Sequence, residues 1–466
     1  MPTFDSAPPA PSGGAADMLR QDRVSATAPE RRRAPYPVSP VIGPDGTRAW
    51  QEMVAAARVL FSERGYYATT VEAIAAATGR SDTAFYQYFQ GKLEVFRIFV
   101  EELGADLADH FAAIPVLDAD GLSEVESWIE GLGHLLRRHS PVFADWPLHT
   151  EDQPATYNPS EDYMRRFADG MQAALRNADT GGLAPRVLAT AIICLVEWAH
   201  IASDAAHAVA DPRSHESAMH ATLARIIHRT VFPPAHPLAA PPRGATRSVP
   251  PPHLVAPLAG LRKPVSRRGQ AKVEHICAAA LHAFERRGLA GTSVNDIIAE
   301  AQIGHGTFYQ YWTGRDAVFA TLAHRATGLM GDHFTRLPGL DTPDDLGEWL
   351  DDWLSIVATH GTVFHIWTAE IAQNPELLPV ARSARMHLEQ ITARLHHRWP
   401  DVAALDTRSA ATALWSLLTE FPYNAWVRHP VLTREQILEC QKLFLARGVL
   451  GGREPRICGS LTHSGE

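Results

Sequence analysis

The segment "TAFYQYFQGKLEVF" at residues 83–96 returns 223 positions later as "GTFYQYWTGRDAVF" at residues 306–319. A repeat at that distance constrains the fold strongly, because whatever one copy becomes the other becomes too. Around the motif Phe61 pairs with Phe284, Gly65 with Gly288, Thr69 with Thr292, Val71 with Val294 and Ile74 with Ile297, without a gap to Phe96 and Phe319. Beyond it the offset becomes 221, where Trp128 and "HSPVFADW" (His139 to Trp146) meet Trp349 and "HGTVFHIW" (His360 to Trp367). Further on, "ATAIICLVEW" (Ala189 to Trp198) resembles "ATALWSLLTEF" (Ala411 to Phe421). The likeness covers nearly the whole of each half, so a domain is duplicated and not merely a short motif.

Apolar residues recur at spacings of three and four, and alternating strand patterns are absent, so the chain is expected to be all-α. "TRAWQEMVAAARVLFSERG" reads as an amphipathic helix closing on Gly65, with Arg64 in its last turn. "TTVEAIAAATG" follows, with Thr70 placed to cap it and Gly79 to end it. "SDTAFYQYF" is a short third helix with Ser81 as its cap, and a fourth starts near Gly91 and Lys92. The second half repeats the series from "AKVEHICAAALHAFERRG" to "GRDAVFATLAHRA". Ten of the 32 residues from Pro233 to Pro264 are proline, which removes backbone donors and predicts an extended, semi-rigid linker. The resulting division is a disordered tail over 1–45, a first three-helix domain over 46–100 and a first helical bundle over 101–232. A linker over 233–265 leads to a second three-helix domain over 266–323, a second bundle over 324–450 and a tail over 451–466.

Two short helices joined by a turn of about four residues, the second carrying hydroxyls and an amide, form the pattern of a helix-turn-helix. Phe85 and Phe89, four apart, are expected to bury together, which turns Thr83, Tyr86 and Gln87 outward. Such groups suit phosphate oxygens and base edges. Gln87 and Gln310 each offer a donor and an acceptor to a base, while Tyr86, Tyr88, Tyr309 and Tyr311 can donate to phosphates. Lys92 and Arg315 stand at the start of the next helix, where a cation and backbone N–H groups could hold one phosphate. Tyrosines at helical spacing usually pack, but repetition inside the complete motif favours contact with DNA.

The stretches "TTVEAIAAATGRSDTAFYQYFQGKLEVF" and "TSVNDIIAEAQIGHGTFYQYWTGRDAVF" resemble the N-terminal DNA-binding region of TetR-type transcriptional regulators across the whole three-helix unit. The resemblance implies two tandem subunits, each a DNA-binding helix-turn-helix domain followed by a bundle that binds a small effector and dimerises. It also implies roles for single residues. The phosphate-contacting tyrosine falls on Tyr86 and Tyr309, its aromatic partner on Tyr88 and Tyr311, the basic residue on Lys92 and Arg315, and the capping hydroxyl on Thr70 and Ser293. Base-reading positions fall on Asp82, Thr83, Ala84 and Gln87, and on His305, Gly306, Thr307 and Gln310. The turns depart from the family pattern: Gly79, Arg80, Ser81 in one copy and Gln302, Ile303, Gly304 in the other, where Gly304 weakens the cap.

The net charge of −9 excludes a globally cationic nucleic-acid coat, so DNA contact must be local. Arg31 to Arg33, and Arg262, Lys263, Arg267 and Arg268, are candidate arms for a minor groove. Trp146, Trp198, Trp367, Trp415, Phe421 and Trp426 are candidates to line an effector pocket, with core packing as the alternative role. The four dispersed cysteines fit a reducing cytoplasm, and the most apolar run, from Val187, contains Glu197 and reads as too short to cross a bilayer. No metal-ligand pattern, P-loop or nucleophile elbow is present, so neither enzyme activity nor a cofactor is expected. The expectation is a sequence-specific repressor, released by a small apolar or amphipathic effector and acting on a double-stranded operator as an intrachain pseudo-dimer. A homodimer, and a ligand-sensing or protein-interaction scaffold with degenerate helix-turn-helix units, are the alternatives.

Overall fold

The computed structural model describes residues 44–139, 159–204, 212–233, 261–262, 266–340, 342–370, 378–398 and 405–450. The chain divides into two compact units, Met1–Phe99 and Val100–Glu466. Among the described residues there are helices and no strands.

The first half contributes α1 (Pro44–Ala68), α2 (Val71–Ala77), α3 (Asp82–Phe85), α4 (Lys92–Ala112), α5 (Leu122–Arg138), α6 (Pro159–Ala174), α7 (Pro185–Asp204) and α8 (Pro212–Val231). The second contributes α9 (Arg267–Gly291), α10 (Val294–Glu300), α11 (His305–Tyr311), α12 (Arg315–Phe334), α13 (Pro343–Glu370), α14 (Leu378–Arg398), α15 (Thr407–Trp415) and α16 (Arg434–Leu443). Helix for helix the order repeats, so the fold is two all-α subunits in tandem, as the offset of the sequence repeat predicts.

The frame of each three-helix unit rests on one buried threonine. α1 and α9 leave helical geometry at Gly65 (φ 76°) and Gly288 (φ 66°), a left-handed backbone that glycine adopts without a Cβ penalty. The carbonyls stranded by that break need donors. Thr69 Oγ1 donates to Leu60 O and Gly65 O at 3.1 and 2.8 Å, and Thr292 Oγ1 donates to Ala283 O and Gly288 O at 3.2 and 2.7 Å. Around this clamp Phe61, Ile74, Phe85, Phe89 and Phe96 are buried in the first unit, and Phe284, Ile297, Phe308, Trp312 and Phe319 in the second copy. Each such side chain contributes about 2 kcal/mol by leaving water. Trp312, in place of Phe89, brings a polar N–H into that core, and Nε1 donates to Thr321 Oγ1 at 3.0 Å.

Within the larger unit, α7 packs against α15 and α16, α8 packs against α15 and the turns through Phe444–Val449, and the two bundles share one core. α15 continues past Trp415 in wider turns through Ser416–Glu420 and Tyr423–Arg428, where Phe421 N donates to Ser416 O, five residues back. The sequence explains the widening. Ala189 to Glu197 spans one residue fewer than Ala411 to Glu420, and a π-type turn is how a helix absorbs a single inserted residue. Across the seam Arg447, 4% exposed, donates to Asp179 O at 3.1 Å and Thr230 O at 3.4 Å and pairs with Asp179 Oδ2 at 3.1 Å. The stretch Pro185–Ser203 is long and apolar enough to cross a membrane, which the sequence reading did not expect, but most of it is buried in this bundle as a core helix.

Candidate nucleic-acid interface

In the first copy α2 is capped by Thr70, whose Oγ1 accepts from Ala73 N at 3.2 Å, and α3 by Ser81, whose Oγ accepts from Ala84 N at 3.3 Å. Gly79 takes a φ of 66° in the turn, and Arg80 folds back so that Nη1 meets Glu52 Oε2 at 2.8 Å and Thr78 O at 3.0 Å. The arginine at this turn is therefore an α1 tether. In the second copy Ser293 and Asp296 form a reciprocal capping box on α10, Gln302 takes the left-handed position with φ 50°, and Gly304 supplies no side-chain cap to α11. Hydrogen bonds from Ser293, with the Arg287 guanidinium beside it, outweigh partial burial and hold the Asp296 carboxyl below the usual carboxylate range.

The two recognition segments differ in length: α3 is a single helical turn followed by a looser turn through Tyr86–Tyr88, whereas α11 runs on to Tyr311. Both present one tyrosine in the same way. Tyr86 is 39% exposed and stands edge-on to buried Phe85 (5.7 Å, 87°), and Tyr309 is 43% exposed and stands edge-on to buried Phe308 (5.4 Å, 86°). The buried ring one residue back props the phenol outward and restricts its rotamers, which lowers the entropy lost on any contact. Beside them Asp82 and Thr83 are exposed with Ala84 and Gln87 half-buried, while His305, Gly306 and Gln310 are exposed with Thr307 half-buried. Asp82 Oδ1 accepts from Thr83 N at 3.0 Å, and His305 Nε2 donates to Asn295 Oδ1 at 2.9 Å, which fixes the start of α11 to α10.

Three expectations change. Tyr88 is only 7% exposed and packs beside Phe89, so its ring belongs to the core, whereas its counterpart Tyr311 is half-buried. Lys92 does not point outward: Nζ donates to Tyr66 O at 2.7 Å and Thr69 O at 2.8 Å and lies 4.3 Å from the centre of the Tyr66 ring. Arg315 Nη1 likewise donates to Ala290 O and Thr292 O, both at 2.7 Å. The basic residue of each copy thus donates to carbonyls at and just past the end of the first helix, next to, but distinct from, those that the buried threonine serves. Sequence reading saw the matched threonines without seeing this role, and their identical offset was the available signal.

Of the aromatic pocket candidates, Trp198 is buried edge-on to His365 at 4.6 Å, Trp367 and Phe421 are buried, Trp415 Nε1 donates to Thr368 Oγ1 at 2.9 Å, and Trp426 lies under Arg434 at 5.4 Å. Trp146 lies outside the described residues, as do Arg31 to Arg33 and Lys263. Near Trp198 a buried polar chain runs from Arg428 Nη1, which donates to His365 Nε2 at 2.9 Å, to His365 Nδ1, which donates to Glu420 Oε2 at 3.0 Å. Burial, and next the charge of Glu420, push the Glu197 carboxyl up to about 8. Among the described residues no group of three or more His, Cys, Asp or Glu is placed to hold a metal ion.

The family described as "Bacterial regulatory proteins, tetR family" matches the chain twice, at residues 53–97 and 276–322, the two helix-turn-helix units just described. Each half of the chain thus carries one domain that matches this family. Two solved structures described as TetR-family transcriptional regulators are similar at 18% identity. One, from Syntrophomonas wolfei, matches with a TM-score of 0.29 over 38% of this chain and 93% of its own. The other, from Mesorhizobium loti, matches with a TM-score of 0.27 over 39% of this chain and 98% of its own, again at 18% identity. No curated protein matches the sequence. The two matches support a DNA-binding regulatory role for these units.

Proposed function

We propose that this TetR-family chain is a cytoplasmic, ligand-responsive repressor that reads one operator with two non-identical recognition segments, paired within a single chain. The observation that carries the reading is the propped, exposed tyrosine with an amide beside it, Tyr309–Gln310 on Phe308, echoed by Tyr86–Gln87 on Phe85. Tyr86 and Tyr309 serve phosphates. Asp82, Thr83, Ala84 and Gln87, and His305, Gly306, Thr307 and Gln310, face the bases. Thr70 and Ser293 act as helix caps whose N-terminal turns lie toward the backbone of the duplex. Support for intrachain pairing comes from the packing of α7 on α15 and α16, of α8 on α15 and Phe444–Val449, and from the Arg447–Asp179 contact. A pseudo-dimer needs no second chain to span two half-sites.

Support for an effector comes from the aromatic cluster of Trp198, Trp415 and Phe421 and from buried polar atoms. Glu420 Oε1 and Arg428 Nε have no hydrogen-bond partner among the described residues, although each lies in the packed interior. Buried polar groups without partners are uncommon. A small amphipathic molecule with a polar end would satisfy them. Release from DNA then requires only that it prefer one arrangement of the bundles by a few kcal/mol.

Footprinting tests the reading. Because Asp82, Thr83, Ala84 differ from His305, Gly306, Thr307 while Gln87 and Gln310 agree, the protected site has related but non-palindromic halves. A perfect palindrome with interchangeable halves overturns the unequal pairing, and light scattering on the DNA complex is expected to count one chain. No binding to any duplex at low salt would favour the scaffold alternative.

A further inference from the structure

The face of α11 carries no lysine or arginine, and the cation that should accompany it, Arg315, is turned onto backbone carbonyls. A helix C-terminus also carries partial negative charge on its unpaired carbonyls, which opposes the approach of a phosphate. At that end of α11 lies Arg262, from the segment that joins the two halves. Its backbone N donates to Tyr311 O at 2.8 Å and its Nη1 donates to Tyr309 O at 2.9 Å. The side chain is exposed, and one of its N–H groups is used in that bond while the planar fork has five. The contact therefore covers two carbonyls at the exposed end of the recognition helix and leaves guanidinium donors beside Tyr309.

Resting on the DNA-binding reading above, we infer that Arg262 is the phosphate-binding cation of the second helix-turn-helix and the residue that positions the end of its recognition helix. Arg262, at the end of the segment that joins the halves, is thus part of the DNA-binding surface. Guanidinium geometry favours the double task, since one edge can hold a carbonyl while another faces a phosphate oxygen. The first copy has no equivalent in sequence: 223 positions before Arg262 stands Ser39, and no basic residue occurs between Arg33 and Arg48. At this aligned position the cation belongs to the second copy, which gives the two recognition segments unequal electrostatic weight.

The test is the salt dependence of binding by the full chain to a fluorescent mixed-sequence duplex of about 40 base pairs, long enough for two half-sites. Arg262→Gln is expected to weaken binding several-fold on every sequence and to make the slope of log K against log salt shallower by about 0.9, the share of one phosphate contact. Arg262→Lys, which keeps the charge, is expected to restore most of the slope. A thermal melt of each variant checks the fold, and a change of slope is read independently of any change in stability. A wild-type slope in Arg262→Gln, with or without loss of affinity, reduces Arg262 to a helix cap and overturns the inference, as does Arg262→Lys with the slope of the Gln variant. If the wild-type chain itself binds no duplex, the DNA-binding reading falls and this inference with it. A wild-type chain that binds while Arg262→Gln keeps its slope sinks this inference alone.

Discussion

Thr69 and Thr292 perform the same task in the two halves, whereas Tyr88 and Tyr311, equally well matched in sequence, do not. Each threonine is fully buried and bonds the same pair of carbonyls, so any drift there breaks a helix junction. Each tyrosine sits where the recognition segment leaves its core, and a one-turn helix in the first copy against two turns in the second is enough to bury one ring and half-expose the other. The difference separates two kinds of constraint after duplication. Interior bonding is held by geometry, while the outward face is held only by what it contacts and is free to diverge.

The largest expected effect breaks the symmetry directly. Tyr309→Ala with Gln310→Ala should weaken DNA binding by about 30-fold, roughly 2 kcal/mol, and the pair Tyr86→Ala with Gln87→Ala should weaken it less, as measured by fluorescence anisotropy. Equal losses would show that the shorter helix and buried Tyr88 of the first copy do not matter. A second contrast lies in the bundles. His200 Nε2 and His220 Nε2 face each other at 3.0 Å in the first half, and His200 Nδ1 donates to Val196 O at 2.7 Å. Burial above all, and for His220 next the charge of His200, lowers both histidines to about 4 from 6.5. The neutral forms are favoured in the fold, so stability is complete above pH 6.5 and falls as pH drops from there toward about 4, because the unfolded chain takes up protons first. His220→Gln, which can still donate to His200 Nε2, should flatten part of that acid loss in a pH series of thermal melts.

Smaller effects sharpen the shared frame. Thr69→Val and Thr292→Val should each cost about 1 kcal/mol, the net worth of a buried hydroxyl bond, with no difference between the copies in urea melts. A clear inequality would mean that the two clamps bear different loads. Gly304→Ser, at a φ of −86° with open space around it, should add the cap that Ser81 supplies in the first copy and raise stability by about 0.3 kcal/mol, read as a higher urea midpoint.

Much of this was legible in the chain itself. The repeat predicted two matching subunits and the apolar spacing predicted helices, and the caps at Thr70, Ser81 and Ser293 fall where small hydroxyls precede apolar helical runs. Phe85 and Phe89 bury together because four residues separate them. What could not be read was the direction of long side chains. Lys92 finds its acceptors 23 and 26 residues earlier, Arg80 meets Glu52 on another helix, and Arg262 reaches carbonyls 47 and 49 residues later. A local motif marks those positions as basic and exposed, but only the packed neighbours decide which acceptor wins.

The extra residue between Ala411 and Glu420 makes the seam between the bundles unequal on its two sides. In a symmetric dimer every substitution enters the interface twice and must suit its own image. Here a change at Arg447 or Glu420 enters once and faces an unrelated side chain, so natural variation can tune one side of the seam at a time. Under the proposed intrachain pairing, covalent linkage keeps the two halves together on dilution, so a few copies of the chain suffice to keep both recognition segments paired.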